Sequence, residues 1–250
     1  MLANRMRMAA VRAVGGLEWD IPDGVRLYDH DGTVLVWTSG IETDVVCNKG
    51  MVVFVSHALY SNFKIPDDLE TIELLVVAGG GNGGDGWMSP EGLTNYSGGL
   101  GGGGDRPYHS AYNVSSLTSV DVRVGTRNSN TFRPLSGDPD NIRNSYFNGT
   151  GGVFARAGAA GYDATSQGDG DDGAGSSSTT RFGTTYSGRM PRKITSGSGE
   201  DAPTRTGTGG QNGRGSSISD YSGGRGARGI VIVRFGGFNM NFDPSDLTCS

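Results

Sequence analysis

The sequence predicts a mostly β protein: a β-scaffold carrying glycine-rich, extended segments of the polyglycine II type, with a short helix at its N-terminus. Three observations predict it. Glycine supplies 45 of the 250 residues, against an average of roughly 7 %, and only 34 % of the chain is apolar. Runs of β-branched and aromatic residues punctuate the chain, and no helical period follows residue 15. The net charge of −5, with 19 % charged residues, is too mild for a chain kept open by self-repulsion. Cohesion must therefore come largely from backbone hydrogen bonding, which glycine favours because it lets two backbones approach closely.

Residues 1–14 are rich in Met, Ala and Arg, and Gly15 and Gly16 would stop a helix there. A helix this short is marginal alone, so it should dock on a partner or on another copy. The stretch VRLYDHDGTVLVWTSG, residues 25–40, places two β-type runs around Asp31-Gly32, a hairpin signal. Together these form an N-terminal attachment segment, 1–46. A glycine-rich β domain follows over 47–235. It opens with MVVFVS (51–56), a turn at Ile65-Pro66-Asp67-Asp68, and a strand over 69–78 that is apolar enough after Glu73 to be buried on both faces. Beyond Gly79 the chain is dominated by Gly, Ser, Thr, Asn and Asp. SVDVRVG (119–125), GVFARA (152–157) and the closing strand GIVIVRF (229–235) interrupt it. Residues 236–250 read as an exit tail.

The glycines recur at intervals of three: Gly80, Gly83 and Gly86; Gly98, Gly101 and Gly104; Gly207, Gly210 and Gly213; Gly223, Gly226 and Gly229. Three residues per turn is the period of the polyproline II helix, and glycine along an edge of such a helix lets neighbours pack backbone to backbone. These twelve are the candidate structural glycines.

Several chemical motifs are approached and missed. Gly79, Gly81 and Gly84 fit G-x-G-x-x-G, but DGWMSP follows where a pyrophosphate-binding helix is required. GGNGGDGWM (80–88) fits one calcium nonapeptide, yet SPEGLTNYS does not repeat it, and that motif works in tandem. From Asp169, the fifth and twelfth positions of an EF-hand loop fall on Gly173 and Thr180, which cannot serve. His30, His57 and His109 pair with no nucleophile or acid in a local motif. Cys47 and Cys249 form no metal pattern, and whether they pair is left open. The expectation is no enzyme, no cofactor and no metal. The acidic balance argues against nucleic acid, and no run is long and apolar enough to insert in a membrane.

Aromatic residues in the polar region are the better functional signal. Trp87, Tyr96, Tyr108, Tyr112, Phe182 and Tyr186, with His109, are the candidate receptor contacts, because rings on loops of a rigid scaffold give contact area at low entropic cost.

The ordered combination of MVVFVS, FKIPDDLETIELLVVAGGGNGG, SVDVRVG and GGRGARGIVIVRF resembles the glycine-rich domain of bacteriophage tail fibres and minor tail proteins, over about residues 50–235. The style of the first 45 residues resembles minor tail proteins of actinobacterial phages. The resemblance implies a virion component at the tail tip or fibre, with no cofactor. Residues 1–46 would bind other phage tail proteins, loops would meet a host cell-envelope glycan or protein, and the assembly could be a homo-trimer. A tail-associated envelope-degrading enzyme, or a bacterial surface structural protein with no phage link, are the alternatives.

Overall fold

The computed structural model describes residues 17–29, 34–37, 44–56, 58–89, 91, 94–126, 142–193, 195, 197–215 and 221–237. Among them the regular structure is β, in antiparallel sheets, with no helix. The helix expected over 1–14, the Asp31-Gly32 turn, Cys249 and most of the tail lie outside these residues.

The main sheet has six strands, in the order β10 (Tyr108–Asn113), β7 (Thr71–Val77), β16 (Ile230–Phe235), β5 (Gly50–Phe54), β2 (Val25–Asp29) and β3 (Val34–Trp37). A second sheet has four, in the order β13 (Val153–Ala155), β12 (Ser145–Phe147), β11 (Ser119–Arg123) and β6 (Leu59–Lys64). Three two-stranded ribbons complete the set: β1 (Glu18–Asp20) with β4 (Asp44–Val46), β8 (Trp87–Met88) with β9 (Asn95–Tyr96), and β14 (Thr179–Arg181) with β15 (Thr184–Tyr186).

The three central strands are apolar on both faces because the main sheet is covered on both faces. Along β16, Val231, Val233 and Phe235 enter one core while Ile230 and Ile232 enter the other. The larger core lies against the four-stranded sheet, where Leu74, Val76, Val52 and Phe54 meet Phe63, Val120, Val122 and Phe147. Phe54 and Phe63 pack edge to face at 4.9 Å. The smaller core holds Met51, Val53, Leu75 and Val77 under Phe182 and Tyr186 of the β14–β15 ribbon. Each fully buried side chain of this size contributes about 1.5–3 kcal/mol of burial.

Residues 17–29, within the segment expected to attach the protein, are built into this scaffold. β2 pairs with β5 from Val25↔Phe54 to Asp29↔Gly50. Trp19 is fully buried, 4.5 Å from the Phe235 ring, and its indole N–H donates to the Cys47 carbonyl at 3.1 Å. Three strands at sheet edges are irregular, and β3 is one of them, its pairing with β2 shifting register between Leu27 and Tyr28. β10 shifts register between His109 and Tyr112. β6 does so opposite Val120–Val122, where Asn62 adopts φ 57° and its N–H donates to the Asp121 carboxylate at 3.0 Å. Such bulges twist an edge away from further pairing.

Candidate functional site

From one end of the sheets the chain makes out-and-back excursions of extended backbone: 79–86 and 98–104, 157–164 and 169–176, 187–193 and 197–202, and 207–215 and 221–229. These segments hydrogen-bond one another side by side, and the bonds recur every third residue. The amides of Gly98, Gly101 and Gly104 donate to the carbonyls of Gly213, Gly210 and Gly207. Those of Gly99 and Gly102 donate to Tyr162 and Ala159. The amides of Gly80, Gly83 and Gly86 donate to Ala227, Gly224 and Tyr221, and those of Gly158, Gly161 and Ala164 to Gly79, Asn82 and Asp85. Gly81 and Gly84 donate to Gly102 and Gly99 and accept from Gly210 and Gly213, so segment 79–86 is bonded to 98–104, 157–164, 207–215 and 221–229 at once.

Glycine is required by how near these backbones lie. A Cβ on Gly80 would stand closer than 3.0 Å to the Thr208 carbonyl, on Gly83 to that of Gln211, and on Gly86 to the Arg214 backbone. Gly98, Gly101 and Gly104 face Gly84, Gly81 and Ala78 in the same way. Gly207, Gly210 and Gly213 face Ala78, Gly224 and Tyr221, while Gly223, Gly226 and Gly229 face Gly83, Gly80 and Val77. Gly81, Gly84, Gly99, Gly102, Gly158 and Gly161 are equally constrained. Gly81, Gly84, Gly99 and Gly102 form a second row, offset by one residue from the first, and Gly158 and Gly161 lie on a segment that interleaves glycine with alanine.

Side-chain oxygens supply acceptors where no carbonyl is in reach. Asn82 accepts from the Gly226 amide at 3.0 Å, Asp172 from Leu100 at 2.8 Å, and Asp201 from Arg225 at 2.7 Å. Asp172 also pairs with Arg192 at 2.6 Å and Arg189 at 3.2 Å. These exposed pairs contribute little individually.

The candidate receptor contacts separate into three places. Trp87 and Tyr96 face one another across β8–β9, ring centroids 5.9 Å apart and stacked, at the far end of the first excursion. Tyr108, His109 and Tyr112 lie on β10, at the edge of the main sheet. There the His109 and Tyr112 rings meet edge to face at 5.6 Å. Phe182 and Tyr186 are buried in the smaller core, Tyr186 completely, so neither presents a surface to a ligand. Their ribbon closes over apolar strands that would otherwise face water. Tyr162, which the sequence reading passed over, is 61 % exposed on segment 157–164, close to the 165–168 turn. Its surroundings read as another polar glycine tract, so only the backbone register reveals its outward position.

Tyr108 anchors the junction of β10 with the rest. Its hydroxyl donates to Glu73 at 2.5 Å, and that hydrogen bond, more than burial, raises the phenol pKa. Glu73 also pairs with Arg234 at 3.0 Å. The Arg234 guanidinium lies 4.3 Å over the Phe182 ring, and desolvation lowers its pKa. The group is a structural clamp between β7, β10, β16 and the β14–β15 ribbon.

No group of three or more His, Cys, Asp or Glu among the described residues is placed to hold a metal ion. Among the described residues no helix is long and apolar enough to cross a membrane. Neither the family models nor the curated proteins compared with this chain match it.

Proposed function

We propose that this protein is a minor tail or tail-fibre component of a bacteriophage, stationed at the tail tip, whose glycine excursions form a polyglycine II lattice presenting turns to the host envelope. The observation that carries the reading is the three-residue recurrence of backbone bonds between neighbouring segments that carry glycine where their backbones lie closest. It matches the period of a polyproline II-type helix and gives a rigid stalk whose far ends are free to vary. In this reading Trp87 and Tyr96 are the foremost contacts for a host glycan or protein, and Tyr162 joins them. Residues 1–46 bind other tail proteins. The role is binding and structure, with no reaction assigned.

Antibodies raised against residues 50–235 test it on phage particles from the source. Label at the tail with loss of infectivity supports a host-contacting role. Label at the tail with infectivity intact supports a structural subunit and removes the receptor role. Particles without label overturn the reading.

A further inference from the structure

We propose that Asp85, Asp163 and Asp169 are positioning residues that lock separate distal turns into one composite contact surface. The inference rests on the reading of those turns as the host-contacting end. Asp163 precedes the 165–168 turn, and its carboxylate accepts from the Asp85 amide at 3.0 Å. Asp169 follows the same turn and accepts from the Ser97 amide at 2.6 Å. Asp85 stands just before Trp87 and accepts from the Gly223 amide at 2.8 Å. Ser97 follows Tyr96, and Gly223 follows Tyr221, which is bridged to Gly86. Both limbs of the Trp87–Tyr96 turn are therefore held to the 165–168 turn, and one of them is also held to the returning limb of the last excursion.

The chemistry needed is an acceptor oxygen at a fixed height, and the chain itself shows this. Three residues nearer the sheets than Asp85 on the same segment, Asn82 makes the equivalent bond to Gly226. Three residues after Asp169, Asp172 makes it to Leu100. Asparagine and aspartate thus fill equivalent positions, while alanine would leave the amide without that acceptor. Asp85, Asp163 and Asp169 are the members of this set nearest the turns, and all three are exposed, away from either core.

The test compares the full chain with its Asp85→Ala, Asp163→Ala and Asp169→Ala forms and with the three Asp→Asn forms. Hydrogen exchange is read at Asp85, Ser97, Gly223 and the neighbouring turns. Binding is read on envelope preparations from the phage host. Losing one such bond should speed exchange of the orphaned amide about tenfold. The effect should reach a turn that does not carry the substitution, and envelope binding should weaken by a similar factor. The asparagine forms should match wild type in both readouts. If an alanine form fails to fold, Asp163→Ala, which frees the amide of the exposed Asp85, is the milder variant. Wild-type protein that binds no envelope would overturn the receptor reading while leaving the exchange result to judge the coupling. Alanine forms that bind and exchange like wild type, or asparagine forms that do not restore both, overturn the inference.

Discussion

At the scale of single residues, the glycines differ sharply in what they tolerate. A Cβ on Gly101 would collide with the Gly81 carbonyl, whereas nothing lies within 4 Å of the position a Cβ would take on Gly151. Gly101→Ala should cost about 1–3 kcal/mol or more by overpacking. Gly151→Ala should be neutral, or stabilise by up to about 1 kcal/mol through the unfolded state. Urea unfolding of the two variants checks the contrast. Tyr60 offers a pH signature. Burial pushes its phenol up from 10.0 to about 12, and its hydroxyl donates to the Gly24 and Ser56 carbonyls. The folded state therefore holds the proton more tightly than the unfolded one. The stability this contributes is complete below pH 10 and is lost as pH rises towards 12, by an amount on the order of 2–3 kcal/mol. Tyr60→Phe should be less stable at pH 8 but show a shallower alkaline decline when unfolding is followed across that range.

At the scale of elements, the last strand of the described residues is also among the most central. β16 pairs with both β7 and β5 and feeds both cores. The β14–β15 ribbon depends on it, since Tyr186 rests in the smaller core with Ile230 and Ile232. Tyr186→Ala should cost about 3–5 kcal/mol by the usual penalty for emptying a large buried site, read as a lowered midpoint in thermal unfolding. Arg181→Ala, on the exposed side of the same ribbon, should cost well under that. The difference in burial also explains what the sequence made legible. MVVFVS, LLVVA and GIVIVRF announce β5, β7 and β16 because both of their faces are apolar, and the alternation of SVDVRVG announces β11. LYSNFK and YHSAYN conceal β6 and β10, because edge strands with bulges keep polar residues and break the alternation. SYF and the TTR–TTY pair are too short to carry a period. Phe182 and Tyr186 looked exposed because their neighbours are polar, while the surface that covers them comes from strands distant in the chain.

At the scale of the whole molecule, sheets and excursions share their backbone. Gly79 donates to Arg143, Ala78 to Asp105, and Gly229 to Gly125, so the bonding passes from the sheets into the excursions without a break. Unfolding should be a single calorimetric transition, and two separated transitions would show that the excursions melt on their own. Deleting residues 207–250 removes β16 together with two of the four neighbours bonded to segment 79–86. The product should be degraded by protease throughout, rather than trimmed to a stable fragment. The period-three glycines were visible in the sequence, but the carbonyl each one faces was not, because those partners are assembled from remote segments. The same three-residue recurrence has an arithmetic consequence. Within a segment, one added or deleted residue would turn every later glycine away from its neighbour, whereas three would restore the facing. Among descendants of this protein, length changes inside the excursions should come in threes, much as coding sequence tolerates codons but not single bases, while the turns between them should vary by any number.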